Sequence, residues 1–389
     1  MKKDKINLAL LWSHYDGGVT SVNDLVLGLD KERFNAIFIY LTGYGVETNF
    51  IEEAGYDVFY LSNMERIRGF RLSILYRLIR ILKERNIEIL HCHAHKCSSY
   101  GANAATFTKT PVVLSHVHGL SRTRNFKRRL ANFLLFRKFT RIIAVAKSVK
   151  EDVLRSNWSV STEKISVLEN SIDYKRFADV STSKEDAKGM LGFSSDAFVF
   201  GTVGRLSRNK GQIYLIKAFV KAKQMIPSAN LIFVGEGPLR QDLEKDAAKM
   251  GVFDSIHFLG RRDDIEKIYK AIDVFVLPSI GSEGMPRVIL EAMAAGVPCV
   301  GTKIGGTPEV ICNNDIGYVV ESRDSEALAQ AMTKLAKMTP KKQQKLIDNA
   351  KQRIYSHYSH DVVIRKLENI YETELTDYYE SDKRQKSNV

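Results

Sequence analysis

Seven short apolar runs mark the first part of the chain: INLALLW, AIFIYL, DVFYL, EILHCH, VVLSHV, RIIAVA and KISVLE. Longer amphipathic stretches separate them. Runs this short suit buried strands, and the stretches between are long enough for the helices that join parallel strands. The pattern pauses over a polar interval near residues 176–196, then restarts with FVFGTVGRL, NLIFVGEG, SIHFLG, DVFVLPS, PCVGTK and GYVVE. No short motif repeats between the halves; the architecture does. The expected fold is α/β, with two Rossmann-like, doubly wound domains facing a deep cleft at the carboxyl ends of their sheets. An N-terminal domain is expected over 1–183 and a C-terminal one over 184–359. Two helices close the chain, and the second, about 360–376, is expected to pack back on the first domain. The tail 377–389 reads as frayed.

At 389 residues the chain exceeds one typical core. Its 44% hydrophobic and 26% charged residues exclude disordered and membrane-spanning classes. The start, MKKDKINLALLWSHYDGG, imitates a signal peptide. Its apolar run stops at Trp12 without a small-residue cleavage site, so it reads as a first buried strand. Cys92, Cys97, Cys299 and Cys312 form no paired framework, which fits a reducing cytosol. Of the net charge of +13, about +10 lies in residues 1–180. The front half therefore faces an anionic partner: nucleic acid, acidic lipid head groups or an anionic substrate.

The chemistry gathers in the second half. FVFGTVG runs into RLSRNKG, which places Arg205 and Lys210 after a strand's carboxyl end, where a helix opens. Two cations at a helix N-terminus suit a diphosphate, though a solvated basic loop has the same composition. Further on, GSEGMPRVILEAMAAG holds Glu283 and Glu291 across the start of an otherwise apolar helix. Gly284 permits close backbone approach, and Pro286 suits the first helical position. Glu291 would then lie roughly 7.5 Å along the axis. The carboxylates could flank a diphosphate, with a sugar hydroxyl on Glu283 and a ribose diol on Glu291. Read singly, Glu283 could be an N-cap and Glu291 a buried structural carboxylate.

Six pieces in order carry a resemblance: DGGVTSVNDLVLGL (16–29), SHVHG (115–119), VLENSIDYKRF (167–177), GRLSRNKG (204–211), VGEGP (234–238) and EGMPRVILEAMAAGVPCVGTKIGGTPEVI (283–311). The chain resembles the retaining GT-B glycosyltransferases of family 4 (glycosyl transferases group 1) over nearly its whole length. The resemblance implies that Glu283 holds the donor sugar, with the backbone of Gly284, Met285, Pro286 and Arg287 alongside. It implies Glu291 on the ribose, and Arg205 and Lys210, next to Gly204, on the diphosphate. Gly17 and Gly18 match a glycine loop that closes over the donor, and His118 matches a histidine near the reacting end of the sugar. The catalytic set implied is His118, Glu283, Arg205 and Lys210. The implied donor is a UDP- or GDP-sugar, with no cofactor and no metal. Three departures stand out: Pro286 for a second glycine, Asn170-Ser171 for Asn-Gly, and an idiosyncratic SHYD before Gly17.

LHCHAHKC (90–97) invites a metal, because His91, His93 and His95 alternate as on one face of a strand. The spacing fits no closed zinc pattern, and the expectation is a cleft-lining strand end. SRTRNFKRRLANFLLFRKFTR (121–141) holds eight Lys and Arg and no acid among Phe and Leu, and RIRGFRLSILYRLIRILKER (66–85) is similar. Both suit docking on an anionic membrane surface, or amphipathic helices with a solvated basic face. The sequence thus predicts a cytoplasmic, peripheral inner-face enzyme. It moves a sugar from a nucleotide donor to a lipid-linked saccharide in cell-surface polysaccharide or lipopolysaccharide synthesis. An epimerase of the same fold would need a second acid–base set. A nucleic-acid-binding protein would bind with a steep salt slope, and no aromatic-rich motif supports one.

Overall fold

The computed structural model describes residues 5–15, 25–120, 126–281 and 283–387. The chain divides into two compact units, residues 1–169 with 361–389, and residues 170–360.

The first unit is built on a seven-stranded parallel sheet in the order β3-β2-β1-β4-β5-β6-β7. The strands are β1 (Ile6–His14), β2 (Phe34–Thr42), β3 (Asp57–Tyr60), β4 (Ile89–His93), β5 (Val112–Val117), β6 (Arg141–Ala144) and β7 (Ile165–Val167). Leu8, Ala9, Leu10 and Leu11 of the central strand are wholly buried, so both faces of the sheet are covered, as a parallel sheet requires. Order reverses between β1 and β4, where ligands sit in folds of this winding.

The helix His360–Ser387 belongs to this unit. Val363, Leu367, Tyr371 and Leu375 repeat at helical spacing and enter the core with Leu8, Leu10 and Phe34. Glu368 accepts from the Asp30 amide and from Arg33, and Arg141 donates to Glu374 at 2.6 Å. Where the sequence predicts a frayed tail from residue 377, helix continues to Ser387. Arg384–Glu380 and Lys386–Asp382 pairs one turn apart support it, as does Tyr379 donating to Glu88.

The second unit repeats the winding with six parallel strands, β10-β9-β8-β11-β12-β13. They are β8 (Phe198–Val203), β9 (Ala229–Val234), β10 (Ile256–Gly260), β11 (Val274–Leu277), β12 (Cys299–Thr302) and β13 (Tyr318–Val320). Phe200, Leu231, Phe233, Val274 and Val276 meet the buried face of helix Gln212–Met225. The unit begins at Asn170, fourteen residues before the boundary expected from sequence. Residues 170–183 fasten here because Ile172 bridges to Ser359, Arg176 pairs with Glu266, and Phe177 packs on Tyr269. Both units are Rossmann-like, the GT-B pairing of domains.

Candidate active site

The reversal point of the second sheet lies between β8 and β11, and the loops that leave these strands meet there. Just past β8 the Gly204 amide donates to the Val234 carbonyl, and the Leu206 amide donates to that of Glu236 at 2.9 Å. The loop after β9 thus supports the backbone on either side of Arg205, whose side chain is exposed. A 3-10 turn, Arg208–Lys210, follows, and Gly211 opens helix Gln212–Met225 in the left-handed region at φ +66°. A Cβ on Gly211 would lie 2.1 Å from the Pro278 carbonyl oxygen at the exit of β11. Only glycine lets the two loops touch, and Ile280 then donates its amide to Asn209 at 2.8 Å.

That closeness delivers Lys210 to Glu283. The ammonium donates to Glu283 Oε1 at 2.6 Å, and buried Ser279 donates to the same oxygen at 2.6 Å. Glu283 is 8% exposed, so its charge is held by these donors more than by water. Behind it the chain passes tightly over the turn after β12, where a Cβ on Gly305 would sit 2.6 Å from both the Glu283 and Gly284 carbonyl oxygens. Gly306 donates to Gly284, and Asn170 Nδ2 donates to the Met285 carbonyl at 2.7 Å. Asn170 is therefore an anchor of the Glu283 loop, a role its sequence context did not signal. Gly284, Met285 and Pro286 are buried beside it.

Pro286 does not occupy the first helical position expected of it. It caps the helix Arg287–Ala294 from an extended conformation (φ −76°, ψ 110°), and no side chain caps that helix's first turn. Glu291 falls on the helix's fifth residue, about 6 Å along its axis. Its Oε2 accepts from Tyr269 at 2.9 Å, and Arg287 Nε lies 3.8 Å from Oε1. Burial first, and then the Glu291 charge, hold the Tyr269 phenol far above its usual range, so it stays a donor. Sequence reasoning missed Tyr269 and Ser279, which lie in strand-flanking stretches that read as ordinary core.

In the first unit, His118 follows β5 and is half-buried. Its Nε2 is 3.1 Å from His93 Nδ1, and its ring stacks on His116 at 4.3 Å. Trp12 stacks on His93 at 4.0 Å, nearly parallel. Gly17 and Gly18 lie outside the described residues. His95 does not share a face with His91 and His93. β4 stops at His93, Ala94 turns the chain at φ +67°, and His95 enters a helix to meet Asn132. The third ring beside His91 and His93 is His116 of β5, in register with His93. Burial, and then the charge of His118, push His91 down to about 3. Burial drives His93 and His116 well below their ordinary range as well.

An open cavity of about 450 Å³ lies beside the ends of β1 and β2, lined by His14, Thr42, Arg66, Arg68 and Lys96, among others. Of the basic stretch 121–141, residues 121–125 lie outside the described residues. Residues 126–138 form helix Phe126–Leu135 and a 3-10 turn, and Arg141 opens β6. Leu130 and Leu134 on this helix are exposed, as are Leu72 and Tyr76 on helix Leu72–Glu84. Among the described residues no helix is long and apolar enough to cross a membrane.

Residues 183–353 match the family model for glycosyl transferases group 1, and residues 15–176 match that for glycosyltransferase family 4. The UDP-Gal:alpha-D-GlcNAc-diphosphoundecaprenol alpha-1,3-galactosyltransferase of Escherichia coli is 32% identical, over 68% of this chain and 70% of its own. An uncharacterized glycosyltransferase of Methanocaldococcus jannaschii is 30% identical over 78% of this chain and 79% of its own. Among solved structures, Anabaena Alr3699/HepE in complex with UDP superposes with a TM-score of 0.83 at 20% identity, covering 95% of this chain and all of that one.

Proposed function

The chain belongs to the family 4 glycosyl transferases and is a GT-B glycosyltransferase, and on that premise we propose that it moves a sugar from a UDP-sugar to a lipid-linked saccharide acceptor with retention of anomeric configuration. The observation that carries the donor half is the Lys210–Glu283 pair at the reversal point of the second sheet. A cation and a carboxylate held 2.6 Å apart, beside a helix start with no side-chain cap, offer both signs that a sugar diphosphate needs. Lys210, Arg205 and the amides opening helix Arg287–Ala294 take the diphosphate, Glu283 a sugar hydroxyl, and Glu291 the ribose diol. UDP is favoured over GDP because the E. coli relative takes UDP-Gal and the Anabaena structure holds UDP.

In the reaction the bond from the anomeric carbon to the diphosphate oxygen breaks, and the electron pair leaves with UDP. An acceptor hydroxyl forms the new bond from the same face, and its proton passes to the departing phosphate. Lys210 and Arg205 act by stabilising the charge that develops on the leaving group. No metal is assigned a part in this step. The roles of His118, Gly17 and Gly18 rest on the family resemblance.

The acceptor half rests on the diphosphoundecaprenol-linked acceptor of the E. coli relative and on the open cavity where Arg66, Arg68 and Lys96 outnumber one carboxylate, Glu65. A peripheral position on the cytoplasmic membrane's inner face, in cell-surface polysaccharide or lipopolysaccharide synthesis, follows from the same reasoning. The exposed Leu130, Leu134, Leu72 and Tyr76 on basic helices support it.

The test is a donor screen by thermal shift and slow hydrolysis, then NMR of the anomeric proton of the product. UDP-sugars should stabilise the chain and give retained product. Indifference to every nucleotide sugar, with Glu283→Ala matching the parent, would sink the reading. Equal binding to anionic and neutral liposomes, unchanged in Arg128→Ala/Arg129→Ala, would defeat the membrane position alone.

A further inference from the structure

His91, His93 and His116 are 0–2% exposed, and each has a ring nitrogen in a close polar contact. His93 Nδ1 lies 3.1 Å from His118 Nε2, His116 Nδ1 lies 3.2 Å from His91 Nε2, and His91 Nδ1 lies 2.7 Å from the Tyr371 hydroxyl. If each Nδ1 carries the proton, all three contacts are donor to acceptor. Two atoms remain: Nε2 of His93 and Nε2 of His116, both buried and both without a hydrogen-bond partner. A sealed polar atom left bare is a cost to the fold that a bound ligand would relieve. In that tautomer the two atoms, in neighbouring rings on adjacent strands with centroids 5.2 Å apart, present unused lone pairs.

We propose that His91, His93 and His116 form a three-imidazole site for a zinc-type divalent transition-metal ion. One ring nitrogen from each lies within 4.8 Å of those from the other two. Tetrahedral zinc, with bonds of about 2.0–2.1 Å, needs ligand nitrogens about 3.4 Å apart, so the rings close in on the ion as it binds. His93 and His116 supply their unused Nε2 atoms, and His91 gives up its contact with His116 to become the third ligand. The donor set is all imidazole, which suits zinc, cobalt and nickel and excludes magnesium and calcium. A ligating imidazole needs its second nitrogen held by an outer partner, and two such partners are in place. With the ring Nε2 atoms on the ion, the His91 Nδ1–H would donate to the Tyr371 hydroxyl and the His93 Nδ1–H to His118 Nε2. The fourth position takes water or hydroxide, and hydroxide offsets part of the buried charge. The site lies wholly in the first unit and is independent of the sugar-nucleotide reading of the second.

The experiment uses the full chain stripped with a chelator. Zn2+ or Co2+ is added, and metal content, visible absorption and melting temperature are measured, with Mg2+ as a control. One Zn2+ per chain, a rise in melting temperature with Zn2+ but not Mg2+, and a tetrahedral Co2+ absorption that Zn2+ abolishes are expected. His93→Gln and His116→Gln should lose all three, and His95→Gln should keep them. Substoichiometric metal and no Co2+ absorption in the folded parent chain would overturn the proposal, whatever the variants do. So would full binding by folded His93→Gln and His116→Gln.

Discussion

Lys210 and Ser279 both donate to one oxygen of Glu283, so none of the three can be changed without exposing the others to a charge or a vacancy. On the proposed roles, Lys210→Met removes the cation for the leaving diphosphate, and kcat/KM should fall by roughly 10²–10³-fold, the cost of losing one preorganised donor. Glu283→Gln keeps the shape and removes the charge. It should lower kcat by a similar factor while UDP still binds, because UDP lacks the sugar proposed to meet Glu283. Steady-state kinetics beside UDP titration calorimetry checks both. Tyr269→Phe leaves Glu291 without its 2.9 Å donor and should weaken UDP binding by about 2–12-fold, the worth of one ordinary hydrogen bond. An unchanged UDP affinity would remove Glu291 from the ribose. Glu283 and Glu291 were legible in the sequence because two carboxylates, one just before and one inside an otherwise apolar helix, demand partners. Ser279, Asn170 and Tyr269 were not, since each looks like any polar residue at the edge of a core until the fold brings it to a carboxylate or a carbonyl.

At the level of elements, the site is a junction of strand exits, and Gly211 is the point where β8 and β11 loops touch. Gly211→Ala places a methyl against the Pro278 carbonyl at a φ that alanine resists. It should cost the second unit about 2 kcal/mol or more, read as a shift in its urea midpoint. The thirteen described strands coincide with the apolar runs, and the inner ones, buried on both faces, leave an unbroken hydrophobic signature. Ends of elements were less legible. Pro286 was expected inside its helix and caps it from outside, because its ψ of 110° serves the packed Glu283 loop before it. His95 was expected to continue a strand, but a single left-handed residue, Ala94, breaks the alternation that suggested it. The helical reach to Ser387 arises from charge pairs one turn apart, which composition alone presents as a polar tail.

Taken whole, the molecule carries two separately cored units, so its unfolding should not be two-state. Calorimetry should resolve two transitions, with UDP raising only the one that belongs to residues 170–360. The metal-free first unit should also be acid-sensitive. Its three buried histidines resist protonation when folded, with His91 held near 3, whereas in the unfolded chain they titrate near 6.5. Above about pH 6.5 both states are neutral and nothing changes. Below it the unfolded state binds protons the folded one refuses, so stability falls as pH drops, with His91 alone contributing about 1.4 kcal/mol per pH unit toward 3 and His93 and His116 adding in the same direction. Urea midpoints measured from neutral to mildly acid pH check the slope and its onset. The helix His360–Ser387, finally, sets an order on synthesis. Residues 170–360 are contiguous and can close their core as the nascent chain leaves the ribosome. The first unit cannot, although its sheet emerges earlier, because Val363, Leu367, Tyr371 and Leu375 are still to be translated. Throughout that delay β1 lacks its cover and His91 lacks its tyrosine, which makes the half of the protein that is made first the half most exposed to chaperones.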